Sequence, residues 1–399
     1  MKIIQVHNFY QQPGGEDQVY AAEYSLLTEH GHRVTQYTVH NKDVAAISAI
    51  QNATRAIWNS VTYREVTALI RDETPDLIHA HNTFPIISPS LYYAAAEARI
   101  PVVQTLHNYR LLCPAATLFR DGGVCEECVG ALIPHHAIVH RCYRHSASAS
   151  AGVAAMLLVH RIAGTWSTKV HTYVALTNFA KRKLIEGGLP AAKIAVKPNF
   201  LAQDPGMGQG NGNYALFAGR LSEEKGVSTL LDAWQRLDST IPLKIAGDGP
   251  LAPMLKQRVT QLRNVEWLGH CSRERTLELL QNAVLLVLPS LWYEGFPMTV
   301  LESMACGTPI VASDLGSLSE LIQDGVNGFR FVAGDVVSLI DRVQFLWTRR
   351  NELLSFRQSS RLCCEQNYAP ERNYELLMHI YGQAVEDTQQ NSPDLVLYR

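Results

Sequence analysis

Two positively charged side chains stand in one short loop of the C-terminal half. The loop reads Gly219-Arg220-Leu221-Ser222-Glu223-Glu224-Lys225-Gly226 and follows a β-rich segment, so Arg220 stands at a strand end and Lys225 at a helix start. A guanidinium fork and an ammonium point charge in such a loop suit a diphosphate leaving group. A solvated charged turn is the commoner explanation of one such loop, and a second motif reverses that preference.

This second motif holds two carboxylates eight positions apart, Glu294 in a loop and Glu302 inside the following helix. Gly295 lets the backbone amides near the helix start point outward, where they can approach an anion. Glu294 can reach the hydroxyls of a sugar, and Glu302 can accept hydrogen bonds from a ribose. The alternative makes both of them ordinary surface charges. Glu302 lies in an otherwise apolar stretch, which favours burial with a polar partner.

The N-terminal half offers two weaker candidates. The segment Pro13-Gly14-Gly15-Glu16-Asp17 follows the first predicted strand and opens a helix. Adjacent glycines there could bring backbone amides close to an anion, and a tight turn capped by an acidic residue explains the segment equally well. It is not G-x-G-x-x-G, which argues against a nicotinamide-dependent dehydrogenase. His107 ends another predicted strand, a place where a histidine is more often structural.

Four cysteines cluster at Cys113, Cys125, Cys128 and Cys142 with the spacing C-x11-C-x2-C-x13-C. The central Cys-x-x-Cys pair favours coordination of zinc by thiolates, and four thiols in a reducing compartment favour a metal over disulfides. Free thiols packed in a loop are the alternative. A site closed by four thiolates would be structural rather than catalytic.

The elements that must position these residues alternate between short β-rich runs and helical patterns. Strands are predicted at Lys2–His7, Arg33–His40, Asp76–His81, Val102–His107, Thr172–Thr177, Tyr214–Gly219, Leu243–Ala246, Val265–Leu268, Val284–Pro289 and Pro309–Ala312. Helices are predicted at Gln18–His30, Ala53–Arg71, Pro89–Arg99, Val227–Leu237, Leu251–Leu262, Arg273–Gln281 and Met298–Ala305. This alternation predicts an α/β fold with doubly wound parallel sheets, whose ligands bind at the carboxyl ends of the strands.

The length of 399 residues exceeds what one hydrophobic core usually supports, so we expect two domains. A Gly-rich polar run, 203–213, reads as a flexible segment between them. We therefore predict an N-terminal domain at 1–197, with a cysteine-containing insert at 109–145, and a C-terminal domain at 198–369. A last helix at 370–388 is expected to pack back on the N-terminal domain, followed by a tail at 389–399.

The composition excludes several classes of protein. A net charge of −2 provides no global basic field for nucleic acid. The first residues do not resemble a secretory signal, and the longest apolar stretch, Ala151 to Val159, is far shorter than the roughly 20 residues of a spanning helix. We expect a cytoplasmic protein. A helix at Ala151–Thr165 could contact the inner face of a membrane, although burial in the domain is the preferred interpretation.

Taken together, the motifs closely resemble those of the glycosyltransferase family 4 group of GT-B enzymes. The matching segments are Pro13–Asp17, Gly219–Gly226, Gly247-Asp248-Gly249-Pro250 and the run from Glu294 through Glu302 to Pro309. The likeness covers nearly the whole chain and is strongest from Gly219 to Gly328. It implies the GT-B fold, in which two Rossmann-like domains with doubly wound parallel sheets face a central cleft.

The resemblance also implies a role for each candidate residue. Arg220 and Lys225 would neutralise the donor diphosphate, Glu302 would hold the ribose, and His107 would contact the donor sugar near the reacting carbon. Glu294, which with His107 forms the predicted catalytic pair, would contact the transferred sugar. Gly15 would face the donor phosphates and the acceptor. Further contacts to the donor would come from the backbone of Gly295, Phe296, Met298 and Thr299. Pro297 departs from the glycine of many relatives and removes one backbone N–H from the turn. Some relatives are also similar around Cys113 and Cys125–Cys128.

The activity that the resemblance implies is transfer of a sugar from a UDP- or GDP-linked donor with retention of anomeric configuration. The acceptor would be a glycan or a lipid-linked glycan in surface polysaccharide or glycolipid synthesis. An Asp-x-Asp metal motif is absent from the sequence, so we expect no cofactor for catalysis, with charge stabilisation by Arg220, Lys225 and helix N-termini. The alternatives are a nucleotide-sugar epimerase and a degenerate, non-catalytic GT-B subunit.

Overall fold

The structure is a computed structural model that describes residues 1–11, 14–41, 49–237 and 240–390. The chain forms two compact units. The first comprises Met1–Leu118, Cys125–Ala202 and the chain from Pro370, and the second comprises Phe119–Val124 and Gln203–Ala369. Apart from Phe119–Val124, the chain enters the second unit at Gln203, five residues after the boundary expected from the sequence. Residues 391–399 of the predicted tail, like Pro13, lie outside the described residues.

The first unit is built on a six-stranded parallel sheet with the order β2-β1-β3-β4-β7-β8. The strands of the N-terminal half are β1 (Lys2–Phe9), β2 (Arg33–His40), β3 (Leu77–Asn82), β4 (Val102–Leu106), β5 (Phe119–Arg120), β6 (Gly123–Val124), β7 (Thr172–Ala175) and β8 (Ile194–Val196). The helices are α1 (Gly15–Glu29), α2 (Ala49–Ile57), α3 (Ser60–Glu73), α4 (Ser90–Glu97), α5 (His135–Val139), α6 (Ala147–Ile162), α7 (Thr165–Thr168) and α8 (Asn178–Glu186). β5 and β6 form a separate antiparallel hairpin.

The second unit repeats this architecture with the order β11-β10-β9-β12-β13-β14, again all parallel. Its strands are β9 (Ala215–Ala218), β10 (Leu243–Ala246), β11 (Val265–Gly269), β12 (Leu285–Leu288), β13 (Ile310–Ser313) and β14 (Gly328–Phe331). Its helices are α9 (Val227–Arg236), α10 (Ala252–Val259), α11 (Arg273–Asn282), α12 (Met298–Ala305), α13 (Ser317–Leu321), α14 (Val336–Thr348) and α15 (Leu353–Tyr368). The predicted α/β class with two doubly wound parallel sheets is confirmed.

The chain ends, within its described part, in α16 (Pro370–Gln390), which belongs to the first unit. Leu377, Ile380 and Tyr381 of this helix pack in one buried cluster with Ile3 of β1 and Leu77 of β3. Apolar residues at helical spacing on α16 therefore cover one face of the first sheet.

Each sheet has a topological switch point, the place between two neighbouring strands where the order of the strands along the chain reverses. In the first sheet β1 lies between β2 and β3, and in the second β9 lies between β10 and β12. The connections on the two sides of the switch leave the sheet in opposite directions, which opens a crevice at the carboxyl ends of the two central strands. The loop with Arg220 and Lys225 follows β9, and the loop with Glu294 follows β12, so the topology brings the two motifs to one crevice.

Two sequence predictions need correction. The helix predicted at 53–71 is two helices, α2 and α3, because the side chain of Asn59 caps α3 by accepting from the amides of Val61 and Thr62. The Gly-rich run is not a flexible linker, since the amides of Gly208, Gly210 and Gly212 bond to carbonyls of Cys306, Gln281 and Asn282. A Cβ on Gly208 would lie 2.1 Å from the carbonyl oxygen of Gln281. Glycine there permits close packing of two backbones.

Candidate functional site

The loops after β9 and β12 pack directly against each other. The amide of Leu291 donates to the carbonyl of Glu224 at 2.8 Å. Gly226 has a φ of +68°, and a Cβ at that position would lie 1.8 Å from the carbonyl oxygen of Pro289. Only glycine allows this approach without displacing the backbone. The glycine that closes the first motif therefore fixes the distance between the two motifs.

A third Gly-containing loop supports the first. Gly247 follows β10, and a Cβ there would lie 1.9 Å from the carbonyl oxygen of Gly219. The amide of Leu221 donates to the carbonyl of Asp248 at 2.9 Å. The Gly247–Pro250 motif thus holds the start of the Arg220 loop by backbone contacts.

Lys225 and Glu294 meet in the crevice of the second sheet. The ammonium of Lys225 donates to Oε1 of Glu294 at 2.7 Å, and the hydroxyl of Ser290 donates to the same oxygen at 2.7 Å. Glu294 is 5% exposed, and the ammonium lies 5.3 Å from the ring centre of Trp292. This ion pair was not foreseen from the sequence, which assigned Lys225 to a phosphate and Glu294 to a sugar. It holds both side chains at one end of the crevice.

Arg220 lies beside this pair in the chain but remains exposed. Among the described residues it forms no ion pair within 4.0 Å. Its five donors are therefore available to a ligand with several anionic oxygens. The arrangement provides one half-buried, paired cation and one exposed cation in the same loop.

Glu302 is buried in α12 and has a partner that sequence reasoning missed. The guanidinium Nε of Arg273, the first residue of α11, donates to Oε1 of Glu302 at 3.2 Å. Burial raises the pKa of Glu302 from its ordinary value, and Arg273 opposes this shift. The partner lies 29 residues away on a neighbouring helix, so no local pattern could have revealed it.

The start of α12 carries the remaining donor-loop residues. The helix begins at Met298, followed by Thr299, and Pro297 before it provides no side-chain cap. The first amides of an α-helix lack partners within the helix, so this end is open to an anion. Phe296 differs from the other residues of this loop because its side chain is buried, with its ring edge-on to that of Tyr368 and the ring centres 5.5 Å apart. Of Phe296, backbone atoms alone are suited to contact a ligand.

In the first unit the Gly14–Asp17 segment is a capped helix start. The carboxylate of Asp17 accepts from the amide of Gly14 at 2.9 Å and lies 2.7 Å from Nε2 of His7. Gly15 is the first residue of α1. The interpretation as a tight turn capped by an acidic residue describes this loop. A role of Gly15 in anion binding stays a prediction.

Glu16 in the same loop is a functional candidate that sequence reasoning treated only as a cap. Its carboxyl accepts a hydrogen bond at 3.3 Å from the side-chain amide of Asn82, at the end of β3. Burial raises its pKa to about 8, with Asp17 adding to the shift and Arg110 opposing it. The carboxyl is therefore largely protonated at neutral pH, and it bonds the side chain of Asn108, the residue after His107.

The raised pKa of Glu16 predicts a pH-dependent stability. Between pH 5 and 8 this carboxyl ionises in the unfolded chain but stays protonated in the fold, so its contribution makes the free energy of unfolding fall as pH rises. Glu16→Gln should flatten this decline, as measured by urea denaturation at pH 5, 6.5 and 8. An equal pH slope in the variant and the parent would contradict the raised pKa.

His107 follows β4 and is half-buried. Its Nε2 lies 3.0 Å from Nδ1 of His81, and the two rings stack with centres 5.3 Å apart. Burial and the neighbouring His81 hold the pKa of His107 well below its ordinary value. The imidazole is thus neutral at physiological pH, with one ring nitrogen that donates a hydrogen bond and one that accepts.

A cavity of about 40 Å³, with both polar and apolar walls, adjoins His107 within the first unit. Its walls include His81, Asn82, Gln104 and Arg110, and the guanidinium of Arg110 lies 4.4 Å from the ring centre of Phe84. A cavity of this volume is large enough to hold water, and the polar side chains in its walls offer hydrogen-bond partners. His107 therefore lies next to groups able to bind hydroxyls.

The four clustered cysteines are neighbours in the fold. Cys113 and Cys128 are buried, whereas Cys125 and Cys142 are partly exposed. Burial raises the pKa of Cys128 to about 11, and the other three thiols add to this shift. The same insert brings Glu127, His136 and His140 together, with ligand atoms within 4.8 Å of one another. Thiols suit zinc, which binds them as thiolates, but the four cysteines are not among the described groups whose ligand atoms all lie within 4.8 Å of one another.

Family models match nearly the whole chain. Residues 14–203 match the family described as Glycosyltransferase Family 4, and residues 206–362 match Glycosyl transferases group 1. A glycosyltransferase of uncharacterised function from Methanocaldococcus jannaschii is 27% identical over 77% of this chain and 74% of its own length. Glycogen synthase of Mycobacterium tuberculosis is 30% identical over 69% of this chain and 60% of its own length. The phosphatidyl-myo-inositol mannosyltransferase of Mycobacterium leprae is 30% identical over 48% of this chain and 53% of its own length.

Solved structures share the fold. HepE of Anabaena, in complex with UDP, superimposes with a TM-score of 0.68 at 18% identity, covering 96% of this chain and 100% of HepE. A further HepE structure contains UDP-glucose, with a TM-score of 0.65 at 19% identity over 98% of this chain and 100% of HepE. Sucrose-phosphate synthase of Thermosynechococcus elongatus superimposes with a TM-score of 0.72 at 14% identity, covering 97% of this chain and 99% of the synthase. The chain has two doubly wound sheets, and its motif loops lie at the switch point of the second sheet. Together with the family matches, this shows that the chain belongs to the glycosyltransferase family 4 group of GT-B glycosyltransferases.

Proposed function

We propose that this glycosyltransferase transfers a hexose from a nucleotide-diphosphate donor, UDP- or GDP-linked, with retention of anomeric configuration. The observation that carries the proposal is the crevice after β9 and β12, where exposed Arg220 stands next to the Lys225–Glu294 pair. That HepE has been solved with UDP and with UDP-glucose supports a donor of this class.

Each residue of the crevice then has a role. Arg220 and Lys225 neutralise the diphosphate, and Glu302, oriented by Arg273, accepts from the ribose hydroxyls. Glu294, fixed by Ser290, bonds the hydroxyls of the transferred sugar. Backbone groups of Gly295, Phe296, Met298 and Thr299 contact the donor at the start of α12. His107 and Gly15 contribute from the first unit.

The reaction needs no cofactor in this proposal. The acceptor oxygen attacks the anomeric carbon on the face from which the phosphate leaves, and the carbon–oxygen bond to that phosphate breaks. The acceptor's proton passes to a phosphate oxygen of the departing nucleoside diphosphate. Arg220, Lys225 and the first amides of α12 stabilise the negative charge that develops on the leaving group. Catalysis is then metal-independent.

The cysteine cluster would hold zinc for structure. Cys113, Cys125, Cys128 and Cys142 would supply the ion with four thiolate ligands, and a site filled by four protein ligands would be structural rather than catalytic. Such an ion would stabilise the insert that follows His107 in the chain. The raised pKa of Cys128 means that a metal must displace its proton on binding.

The acceptor is proposed to be a glycan or a lipid-linked glycan, used in surface polysaccharide or glycolipid synthesis at the cytoplasmic face of a membrane. Four exposed aliphatic side chains, Leu132, Ile133, Val159 and Ile162, lie on the insert and on α6. The guanidinium of Arg161 joins the two segments through the carbonyl of Leu132 at 3.3 Å. In the described part of the chain, no helix has the length and hydropathy of a membrane span.

We expect these four side chains to bind the protein to vesicles. Replacing Leu132 and Ile162 by aspartate should lower co-sedimentation with vesicles that contain anionic lipid by about tenfold. Each substitution removes apolar area that would be buried in the membrane and adds a negative charge that the anionic lipid repels. The control is the same double change at Val332 and Leu354, which are equally exposed but lie in the second unit. Equal binding of all three proteins would contradict a membrane surface here.

Thermal denaturation with nucleotide sugars tests the donor proposal. One UDP- or GDP-sugar should raise the melting temperature by several degrees at saturation, since a ligand that binds only the folded state stabilises it. Glu302→Ala should abolish this shift. Glu266→Ala, which changes an exposed carboxylate on β11, should retain it. A folded protein that no nucleotide sugar stabilises would favour the degenerate, non-catalytic subunit, and EDTA should leave the donor shift intact.

A further inference from the structure

A chain of buried polar side chains lies behind His107 in the first unit. His107 Nε2 is 3.0 Å from His81 Nδ1, and His81 Nε2 is 3.2 Å from Oε2 of Glu23. Both of these last two atoms are shielded from solvent and make no regular hydrogen bond among the described residues. Their polar neighbours are each other, at 3.2 Å, and for Oε2 also Nδ1 of His79, at 3.4 Å. The three side chains therefore form a continuous path from the half-buried His107 to a carboxylate at the centre of the unit.

A buried ammonium balances the charge of Glu23. Lys197 donates to Oε1 of Glu23 at 2.7 Å and to Asn373 of α16 at 3.0 Å, and neither Glu23 nor Lys197 has exposed area. Burial alone would raise the pKa of Glu23, but Lys197 and His81 outweigh it and hold that pKa well below its ordinary value. The carboxylate is thus ionised, and the ammonium of Lys197 balances its charge.

His79 completes the surroundings of Glu23 but does not reach His107. Its Nδ1 lies 2.7 Å from the hydroxyl of Tyr381 on α16, and its Nε2 lies 2.8 Å from that of Thr105. Glu23, His79 and His81 together have the spacing of a metal site. The Lys197 ammonium already provides the positive charge there, so the group is a hydrogen-bonded network rather than a cation site.

We propose that His81 is a positioning residue that fixes His107 in a single tautomer. An ionised carboxylate can only accept, so the proton of His81 lies on Nε2, facing Glu23. Its Nδ1 then carries a lone pair, and His107 must donate to it through Nε2–H. The neutral His107 is left with an unprotonated Nδ1 as its free polar edge. That edge accepts a hydrogen bond and cannot donate one.

This inference bears on the proposed function, on which its kinetic consequence rests. If His107 contacts the donor sugar, its free Nδ1 is matched to a sugar hydroxyl that donates. A histidine free to change tautomer would offer the wrong edge part of the time. The orienting partners of metal-ligating histidines affect activity by about ten- to a hundredfold, and we expect an effect of similar size here.

Nitrogen NMR of protein labelled at histidine tests the tautomer without any substrate. In the parent protein, His107, assigned by its loss in His107→Gln, should show a protonated Nε2 and an unprotonated Nδ1. His81→Phe removes the acceptor, and both tautomers should then appear. His81→Asn keeps an acceptor oxygen near the former Nδ1 and should restore the single tautomer. Tyr381→Phe is the matched control, because it alters the same buried network at His79 alone.

Two results would overturn the proposal: a parent His107 protonated at Nδ1, or a tautomer unchanged in His81→Phe. Kinetics separates this inference from the proposed function. With an active donor, His81→Phe should lower kcat by about ten- to a hundredfold and leave the KM of the donor within about twofold. A changed tautomer with an unchanged kcat would uphold the positioning role of His81 and refute the sugar contact of His107.

Discussion

Alanine in place of Lys225 is expected to lower kcat/KM for the donor by about a thousandfold, the size of effect seen when one charged or hydrogen-bonding group at a developing anion is lost. The ammonium lies in the crevice after β9, held there by Glu294 at 2.7 Å. Its removal takes away one cation from the diphosphate and leaves Glu294 as a buried carboxylate without its ion partner. Steady-state transfer assays with the donor found by thermal shift measure this effect.

The matched control is Lys244→Ala, which removes a lysine from the same sheet. Lys244 pairs loosely with Glu266, at 3.5 Å, outside the two motif loops, so its loss should change kcat/KM by less than about twofold. Lys225→Arg keeps the charge but not the compact ammonium, and we expect partial activity. A Lys225→Ala protein with undiminished turnover would refute the assignment of this loop to the leaving group.

The sequence allowed the two sheets and the donor loops to be predicted because both depend on local patterns. Val-, Ile- and Leu-rich runs such as Leu285–Leu288 are typical of strands buried on both faces. The glycines of the motifs could also be recognised in the sequence, but their structural role could be predicted only in part. Gly226 and Gly247 serve close backbone approach between loops, whereas the glycines of 203–213 were misinterpreted as a mark of flexibility.

What the sequence could not provide is the set of partners. Glu302 is paired with Arg273, and His107 with His81, across 29 and 26 positions of the chain. The strand β3 reads Leu-Ile-His-Ala-His-Asn, and all six residues are buried. Two histidines inside such a strand are the one local signal of a buried polar network. Which groups they meet depends on packing that no periodicity records.

The buried ion pair between Glu23 and Lys197 should make a large contribution to stability. Glu23→Leu is expected to lower the free energy of unfolding by about 3–5 kcal/mol, because it leaves the Lys197 ammonium buried without its partner. Both side chains have no exposed area, and they are 174 positions apart, on α1 and after β8. Urea denaturation at pH 7 measures the loss.

The double variant Glu23→Leu/Lys197→Met separates a buried unpaired charge from a general packing defect. Because both ions are replaced by apolar groups of similar volume, most of the lost stability should return. The parent should also lose stability in acid: the pKa of Glu23 is lower in the fold than in the unfolded chain, so its contribution is complete above about pH 4.5 and disappears as pH falls further. The double variant should lack this acid-dependent loss. A double variant as unstable as Glu23→Leu would show that the pair acts through shape rather than charge.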